Sequence, residues 1–168
     1  REATIWVQAD APSFVRIAYA EEGNTNKINW SLPVETDNAH QNTATLTLAD
    51  VEPGKRYSYR VELNGELATE PNTFSTPTNF KDRTPAPDLR IALGGAHYAT
   101  EEGFEPPYQI LGGGYGIFSA ILETKPDLML WLGNTAHLRD SDWSSKSGTL
   151  KRFTTARTVP ELKPLLAN

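Results

Sequence analysis

The sequence predicts two folds in tandem, an antiparallel β-sandwich over residues 1–76 and an incomplete α/β unit of the βαβ kind over residues 89–168. Three observations carry this. Residues 1–76 hold short β-rich runs that alternate with period two and are divided by turn residues. Residues 89–93 and 128–132 are near-continuous apolar runs with helical spacing between them. Between the two regions, Thr76-Pro77-Thr78-Asn79-Phe80-Lys81-Asp82-Arg83-Thr84-Pro85-Ala86-Pro87 is proline-rich, polar and aperiodic, and residues 77–88 are read as a stiff linker.

The sandwich elements follow in order. Thr4 to Gln8 and Phe14 to Tyr19 are β-rich runs separated by an Ala-Pro-Ser turn. Thr43 to Leu48 alternates, with leucines inward and threonines outward. Tyr57 to Leu63 alternates again and ends in Asn64-Gly65, the strongest short hairpin signal. The return strand is predicted over Glu66 to Thr69, and Thr73 to Thr76 completes the edge. Such a series predicts an immunoglobulin or fibronectin type III sandwich. Leu48, Val51, Pro53, Gly54 and Tyr57 are spaced for a corner where a tyrosine hydroxyl ties the chain back onto itself. Exposed indoles stack on sugar rings, but Trp6 and Trp30 are expected in the sandwich core. Asn29-Trp30-Ser31 fits the glycosylation acceptor pattern, a triplet too short to carry weight. His40, among Asn38, Gln41 and Asn42, is expected to be solvated.

In the second half, Leu89 to Leu93 runs out into Gly94-Gly95-Ala96-His97. Leu128 to Leu132 runs out into Gly133-Asn134-Thr135-Ala136-His137. Runs this apolar predict strands covered on both faces, as parallel sheets require. Ile117, Phe118, Ile121 and Leu122 predict a helix that Lys125-Pro126 ends. A right-handed crossover brings both loops to one sheet edge, and chemistry in open parallel sheets collects beyond the carboxyl ends of strands. The stretch from His97 to Gly114, with Pro106-Pro107 and Gly112-Gly113-Gly114, has no clear secondary structure. Its glycines fit neither a dinucleotide-binding nor a Walker pattern, and close backbone packing is their expected use.

Composition narrows the function. A hydrophobic content of 38% with 22% charged residues is that of a soluble globular protein. A net charge of -5 without a Lys/Arg run argues against nucleic acid as the partner. Lys55-Arg56 and Lys151-Arg152 are read as solvated surface pairs. No apolar run reaches membrane-spanning length. The absence of cysteine excludes disulfides, thiol catalysis and cysteine-based zinc sites. No signal segment follows Arg1, so any export signal is expected to have been removed already or to lie upstream.

At the second loop the residues resemble a known family. Trp131 to Arg139, with Pro126-Asp127 before and Trp143 after, resembles the second metal motif of the calcineurin-like metallophosphoesterases. Within them it is similar to the alkaline phosphatase D-like branch, whose pattern is Leu-Gly-Asp-x-x-Tyr, then Leu-Arg and an acidic-x-Trp segment. Arg90 to Tyr98 resembles that branch's Gly-Ser-Cys turn, Tyr108 to Tyr115 its Gly-rich insertion, and Arg152 to Leu166 its next helix. A fibronectin-like domain ahead of the catalytic one is also typical of the branch. The resemblance implies phosphate mono- or diester hydrolysis by two metal ions of the iron, calcium or zinc class. It implies a periplasmic, cell-surface or secreted location, and further segments of the fold before Arg1 and after Asn168.

The departures bear on activity. The branch's cysteine ligand position reads Ala96, which cannot ligate, and its bridging aspartate position reads Asn134. The motif tyrosine reads His137, and the serine before the cysteine position reads Gly95. A neutral amide does not offset two cations as a bridging carboxylate does. His97 and His137 remain as candidate ligands, with Asn134 and Tyr98 to complete a site, but a stable site needs three or four donors. The plain alternative bonds each histidine to nearby backbone. Asp140 and Asp142 are expected in a solvated turn or helix cap. Ser144, Ser145 and Ser147 lack a nucleophile elbow, and Ser119 lacks a partner. The chain is therefore expected to be a fragment or degenerate member of the branch, inactive alone and without a bound cofactor. The alternative is a non-catalytic pseudo-enzyme acting as a protein-binding or assembly component. Its expected partner is the remainder of the phosphatase domain or another protein chain, self-association included.

Overall fold

Leucine, isoleucine and tyrosine side chains two residues apart build the first unit of the computed structural model. The structure describes residues 1–24, 26–101, 103–104 and 113–167, and it divides into two compact units, Arg1–Ala86 and Pro87–Asn168. In the first, β1 (Glu2–Gln8), β2 (Phe14–Glu21), β3 (Asn29–Trp30), β4 (Val34–Glu35), β5 (Thr43–Ala49), β6 (Arg56–Leu63), β7 (Glu66–Leu67) and β8 (Asn72–Ser75) form two sheets. β1 and β5 pair antiparallel from Glu2↔Ala49 to Gln8↔Thr43. The other sheet has the order β3-β2-β6-β7, with β4 also on β2 and β8 also on β6. Val15, Ile17 and Tyr19 of β2, Leu46 and Leu48 of β5, and Tyr57 and Val61 of β6 meet in one buried core.

The predicted hairpin and corner both appear. Asn64 and Gly65 carry φ of 51° and 91°, the left-handed pair that a two-residue turn between twisted strands demands. The Asn64 side chain also accepts from the Phe14 amide at 2.9 Å, pinning the turn to β2. The Tyr57 hydroxyl accepts from the Glu52 amide at 2.8 Å, and the Tyr19 hydroxyl donates to the Ala49 carbonyl at 2.7 Å. Two buried tyrosines thus tie the corner before β6 and the end of β5 to the core.

Two expectations in this unit fail in instructive ways, and two short strands were not anticipated. Trp6 and Trp30 are 48% and 43% exposed, so neither fills the core. Trp30 pairs with Ala18 on the outward face of β2, and the Arg16 guanidinium stacks on its ring at 4.0 Å. The core is already closed by smaller β-branched and leucine side chains. The return strand stops at Leu67, since Ala68 bonds back to the Val61 carbonyl instead of extending the ladder. β3 and β4 are two-residue strands, too short to leave a periodic signal.

The second unit contains β9 (Ile91–Gly94), α1 (Gly116–Glu123), β10 (Leu128–Trp131), α2 (Lys146–Arg157) and α3 (Lys163–Leu166). β9 and β10 are parallel, with Ile91↔Leu128 through Trp131↔Gly94 in register, and α1 lies between them in sequence. Phe118 of α1 is buried and meets Trp131 at 6.4 Å between ring centroids. They join Ala99, Ala136, Ala156, Val159, Leu162 and Leu165 in a second core.

The strands are not covered on both faces as expected. Met129 and Trp131 turn toward the helical side, while Ile91, Leu93, Leu128 and Leu130 remain exposed. Among the described residues nothing covers that second face. The helix expected over Arg152 to Leu166 is also two pieces, because Pro160 lacks an amide donor and pushes Val159 away from helical geometry. Pro106-Pro107, Gly112 and most of the Tyr108 to Tyr115 insertion lie outside the described residues.

Tyr57→Phe removes a single hydroxyl from the corner. We expect a loss of about 1–2 kcal/mol in urea unfolding, since the Glu52 amide is left half-buried without its acceptor.

Candidate functional site

The parallel ladder does not stop where β9 and β10 end. The Leu132 amide donates to the Gly94 carbonyl (2.7 Å), Ala96 to Gly133 (3.3 Å), His97 to Asn134 (3.1 Å) and His137 to His97 (3.0 Å). Four backbone bonds therefore zip the two turns together, bringing Ala96 and Asn134 into one place. The approach is tight at Gly95, where a Cβ atom would sit 3.0 Å from the Gly133 carbonyl oxygen.

Ala96 and Asn134 both bend the wrong way for ordinary residues. Ala96 has φ of 57° and Asn134 has φ of 49°. Asparagine adopts this left-handed region readily, whereas alanine gains nothing there and is strained by about 1–2 kcal/mol. Backbone strain of this kind collects at functional turns.

The side chains show what the turns hold. Asn134 Nδ2 donates to His137 Nδ1 at 3.0 Å, so the amide is occupied by the imidazole. The Tyr98 ring lies 5.5 Å from the His137 ring. His97 points elsewhere: it is buried, edge-on to Phe118 at 5.1 Å and to Tyr115 at 5.9 Å. Burial is the first cause that lowers its pKa from the usual 6.5. A bond to the Thr135 backbone opposes this, and the Arg152 charge adds to it. Its Nε2 is buried without a hydrogen-bond partner. The two histidines therefore do not converge, and both are held by neighbouring residues.

Arg152 is the residue the sequence misplaces. Read as solvated, it is 1% exposed. Its Nε donates to the His137 carbonyl at 3.0 Å, its guanidinium stacks on Tyr98 at 4.8 Å, and Asp142 lies 3.7 Å away. One side chain thus touches both turns. Nη1 and Nη2 are buried without hydrogen-bond partners, so the packing on Tyr98 and the Asp142 charge carry the guanidinium. The signal was available: Arg152 and Ala156 are four apart in α2, on the stripe that α2 buries.

Asp142 is likewise buried, not solvated, though it does cap a turn as expected. Its carboxylate accepts from Arg139 Nε at 3.1 Å and from the Arg139 amide at 2.9 Å, and these bonds, the side-chain one first, hold its pKa below the carboxylate norm against the effect of burial. Arg139 also meets Glu101 at 2.9 Å, and Lys151 reaches Glu101 at 3.1 Å. Asp140 is exposed. Tyr115 closes the other side, its hydroxyl accepting from the Thr100 amide at 2.6 Å. Ser145, considered as a nucleophile, caps α2 by accepting from the Gly148 amide at 3.0 Å.

This donor set does not fit a two-metal centre. Ala96 presents a methyl group, and the Asn134 amide is neutral and engaged with His137. Among the described residues, no three His, Cys, Asp or Glu side chains are grouped to hold a metal ion.

A chain with an antiparallel sandwich and two zipped parallel turns is similar to known structures. The sequence profile of a family described as a domain of unknown function (DUF7800) matches residues 1–80. The solved structure of PhoD aligns with 99% of this chain at 16% identity and a TM-score of 0.68, which shows a shared fold. This chain spans 34% of the PhoD chain. A sensor domain of the anti-sigma factor RsgI4 from Pseudobacteroides cellulosolvens aligns with 46% of this chain and 81% of its own, at 18% identity and a TM-score of 0.37. A solution structure of that sensor domain aligns over 67% and 85%, at 15% identity and a TM-score of 0.37. No curated protein matches the chain.

Two outcomes follow from the turns. Ala96→Gly, which frees the left-handed residue, is expected to stabilise the chain by about 0.5–1 kcal/mol in urea unfolding. His97 titrates lower in the fold than in the unfolded chain, so the unfolded state binds more protons below the unfolded value of 6.5. Stability is complete above that pH and falls as pH drops through the window beneath it. Urea midpoints at pH 7.5 and 5.5 check this (ordinary assay values, roughly a unit either side), and His97→Gln should flatten the difference. The lowered carboxylates of Asp142 and Glu101 contribute their pH dependence only further into acid.

Proposed function

We propose that this chain is a fragment or degenerate member of an alkaline phosphatase D-like metallophosphoesterase, inert on its own. In this reading residues 1–76 are its fibronectin-like sandwich, 77–88 a linker, and 89–168 the first part of its phosphatase domain. The observation that carries the reading is the pair of zipped turns, which sets Ala96 and Asn134 side by side at the carboxyl edge of two parallel strands; in this reading they take the family's cysteine and bridging aspartate positions. The PhoD fold over nearly the whole chain supports it. The parent enzyme would hydrolyse phosphate mono- or diesters with two metal ions of the iron, calcium or zinc class. An exported location, periplasmic, cell-surface or secreted, belongs to the same proposal. Asn134, His97 and His137 are the residues nearest a vestigial site, and none is arranged to bind two cations.

A second reading is favoured by the alanine at position 96, which offers no donor, and by the bond that engages the Asn134 amide with His137. There the chain is a non-catalytic pseudo-enzyme that works as a binding or assembly component. No helix among the described residues is long and apolar enough to cross a membrane.

Purified chain, incubated with iron, calcium or zinc and desalted, is expected to retain less than stoichiometric metal and to leave a bis-aryl phosphate intact. The Ala96→Cys, Asn134→Asp double variant should behave the same way, because two restored donors still fall short of a two-metal set. Stoichiometric metal with turnover in the unaltered chain would contradict the inert reading. Turnover in the double variant alone would show that two side chains are all that is missing.

A further inference from the structure

The turn between β6 and β7 carries a reactive dipeptide. In Asn64-Gly65 the backbone nitrogen of the glycine can attack the asparagine Cγ, because no Cβ on residue 65 stands in its way. The bond from Cγ to the side-chain nitrogen breaks, ammonia leaves, and a five-membered succinimide closes. Water then opens the ring on one side or the other, giving aspartate or a β-linked isoaspartate. Among the asparagines of the sequence, only Asn64 is followed by glycine. We propose that Asn64 is a latent deamidation site, kept unreactive by the native turn and set free when the turn opens from β2.

Geometry supplies the protection. With φ of 51° at Asn64 and 91° at Gly65 the turn is of type I′, whose first residue has ψ of about +30°. A planar succinimide needs ψ of about −120°, as in the first residue of a type II′ turn, so the peptide between residues 64 and 65 must turn over before the ring closes. The side chain is directed away as well. Asn64 Oδ1 accepts from the Phe14 amide at 2.9 Å, while the Asn64 backbone amide donates to the Phe14 carbonyl at 2.9 Å. Nδ2 reaches Ser13 Oγ at 3.5 Å. Residue 64 is thus clamped to β2 through backbone and side chain together, and the pairs Leu63↔Glu66 and Glu62↔Leu67 close the hairpin around it. Both turn residues are exposed, so conformation and not cover holds the amide out of reach. The two products differ in what they permit. Aspartate keeps an oxygen for the Phe14 amide, whereas isoaspartate adds a methylene to the main chain of a two-residue loop, and loop length sets strand register. The proposal is independent of the phosphatase reading, since it requires no metal and no phosphate.

Mass spectrometry tests it on the whole chain, held in mildly alkaline buffer with and without urea. Trypsin releases residues 61–81 as one peptide, and fragmentation assigns any exchange of amide for acid to Asn64, Asn72 or Asn79. In urea Asn64 is expected to convert faster than the other two, at the rate of the same peptide made synthetically. In the native chain it should convert at least ~10-fold more slowly, the protection conferred by about 1.4 kcal/mol of local opening. Phe14→Pro deletes the donor to Asn64 Oδ1 at the first residue of β2, a position where strands tolerate proline. Loss of that one bond should raise the native rate ~3-fold or more, with the circular dichroism unchanged. Where this variant unfolds, the native and urea rates of the unaltered chain still decide. Native Asn64 as reactive as the free peptide, Asn64 in urea no faster than Asn72 and Asn79, or a folded Phe14→Pro chain as slow as the unaltered one each overturns the proposal.

Discussion

The second unit depends on a hydrogen-bond ladder that outlives its strands. β9 and β10 are four residues each, yet backbone bonds continue from Gly94 through His97 on one side and from Leu132 through His137 on the other. Because carbonyls of one turn receive amides of the other, neither turn moves alone. The left-handed conformations at Ala96 and Asn134 are held in place by that ladder. Arg152 then locks the outside, bonding to the His137 carbonyl and lying on Tyr98. The geometry of the two turns is thus kept by main chain and one buried cation.

The separation between frame and chemistry explains why the fold and the donor set point in different directions. A fold shared with PhoD rests on packing and backbone bonds, which tolerate alanine at position 96 with modest strain. Metal chemistry rests on electrostatics, where exchanging a carboxylate for an amide removes a full charge. The Asn134 to His137 bond is one that a carboxylate at this position would make only to a protonated imidazole nitrogen.

Much of the fold was legible because it follows from local rules. Period two in Thr43 to Leu48 gave buried Leu46 and Leu48, and Asn64-Gly65 gave the hairpin. Tyr57 sits where corner spacing put it. What was not legible depends on tertiary company. An apolar run such as 128–132 states an appetite for burial but not whether a neighbour supplies it, so the open face of β10 was missed. Trp6 and Trp30 are apolar enough for a core, yet the core had filled without them. For the site, spacing gave the positions of Ala96, His97, Asn134 and His137 on two adjacent turns. It did not give their directions: His97 turns inward toward Phe118 while His137 faces Asn134. Arg152 was hidden because a charged residue is ordinarily surface, and only the helical stripe it shares with Ala156 hinted otherwise.

The sandwich has a kinetic character of its own. Glu2 pairs with Ala49, and β2 to β4 all lie in the loop that this pairing closes. The entropy of closing so long a loop is met before any contact rewards it, which slows the search for the native arrangement. The β9–α1–β10 segment also joins distant residues, but only one such closure is needed there. During synthesis the first unit emerges ahead of the second, so the slower fold has the head start.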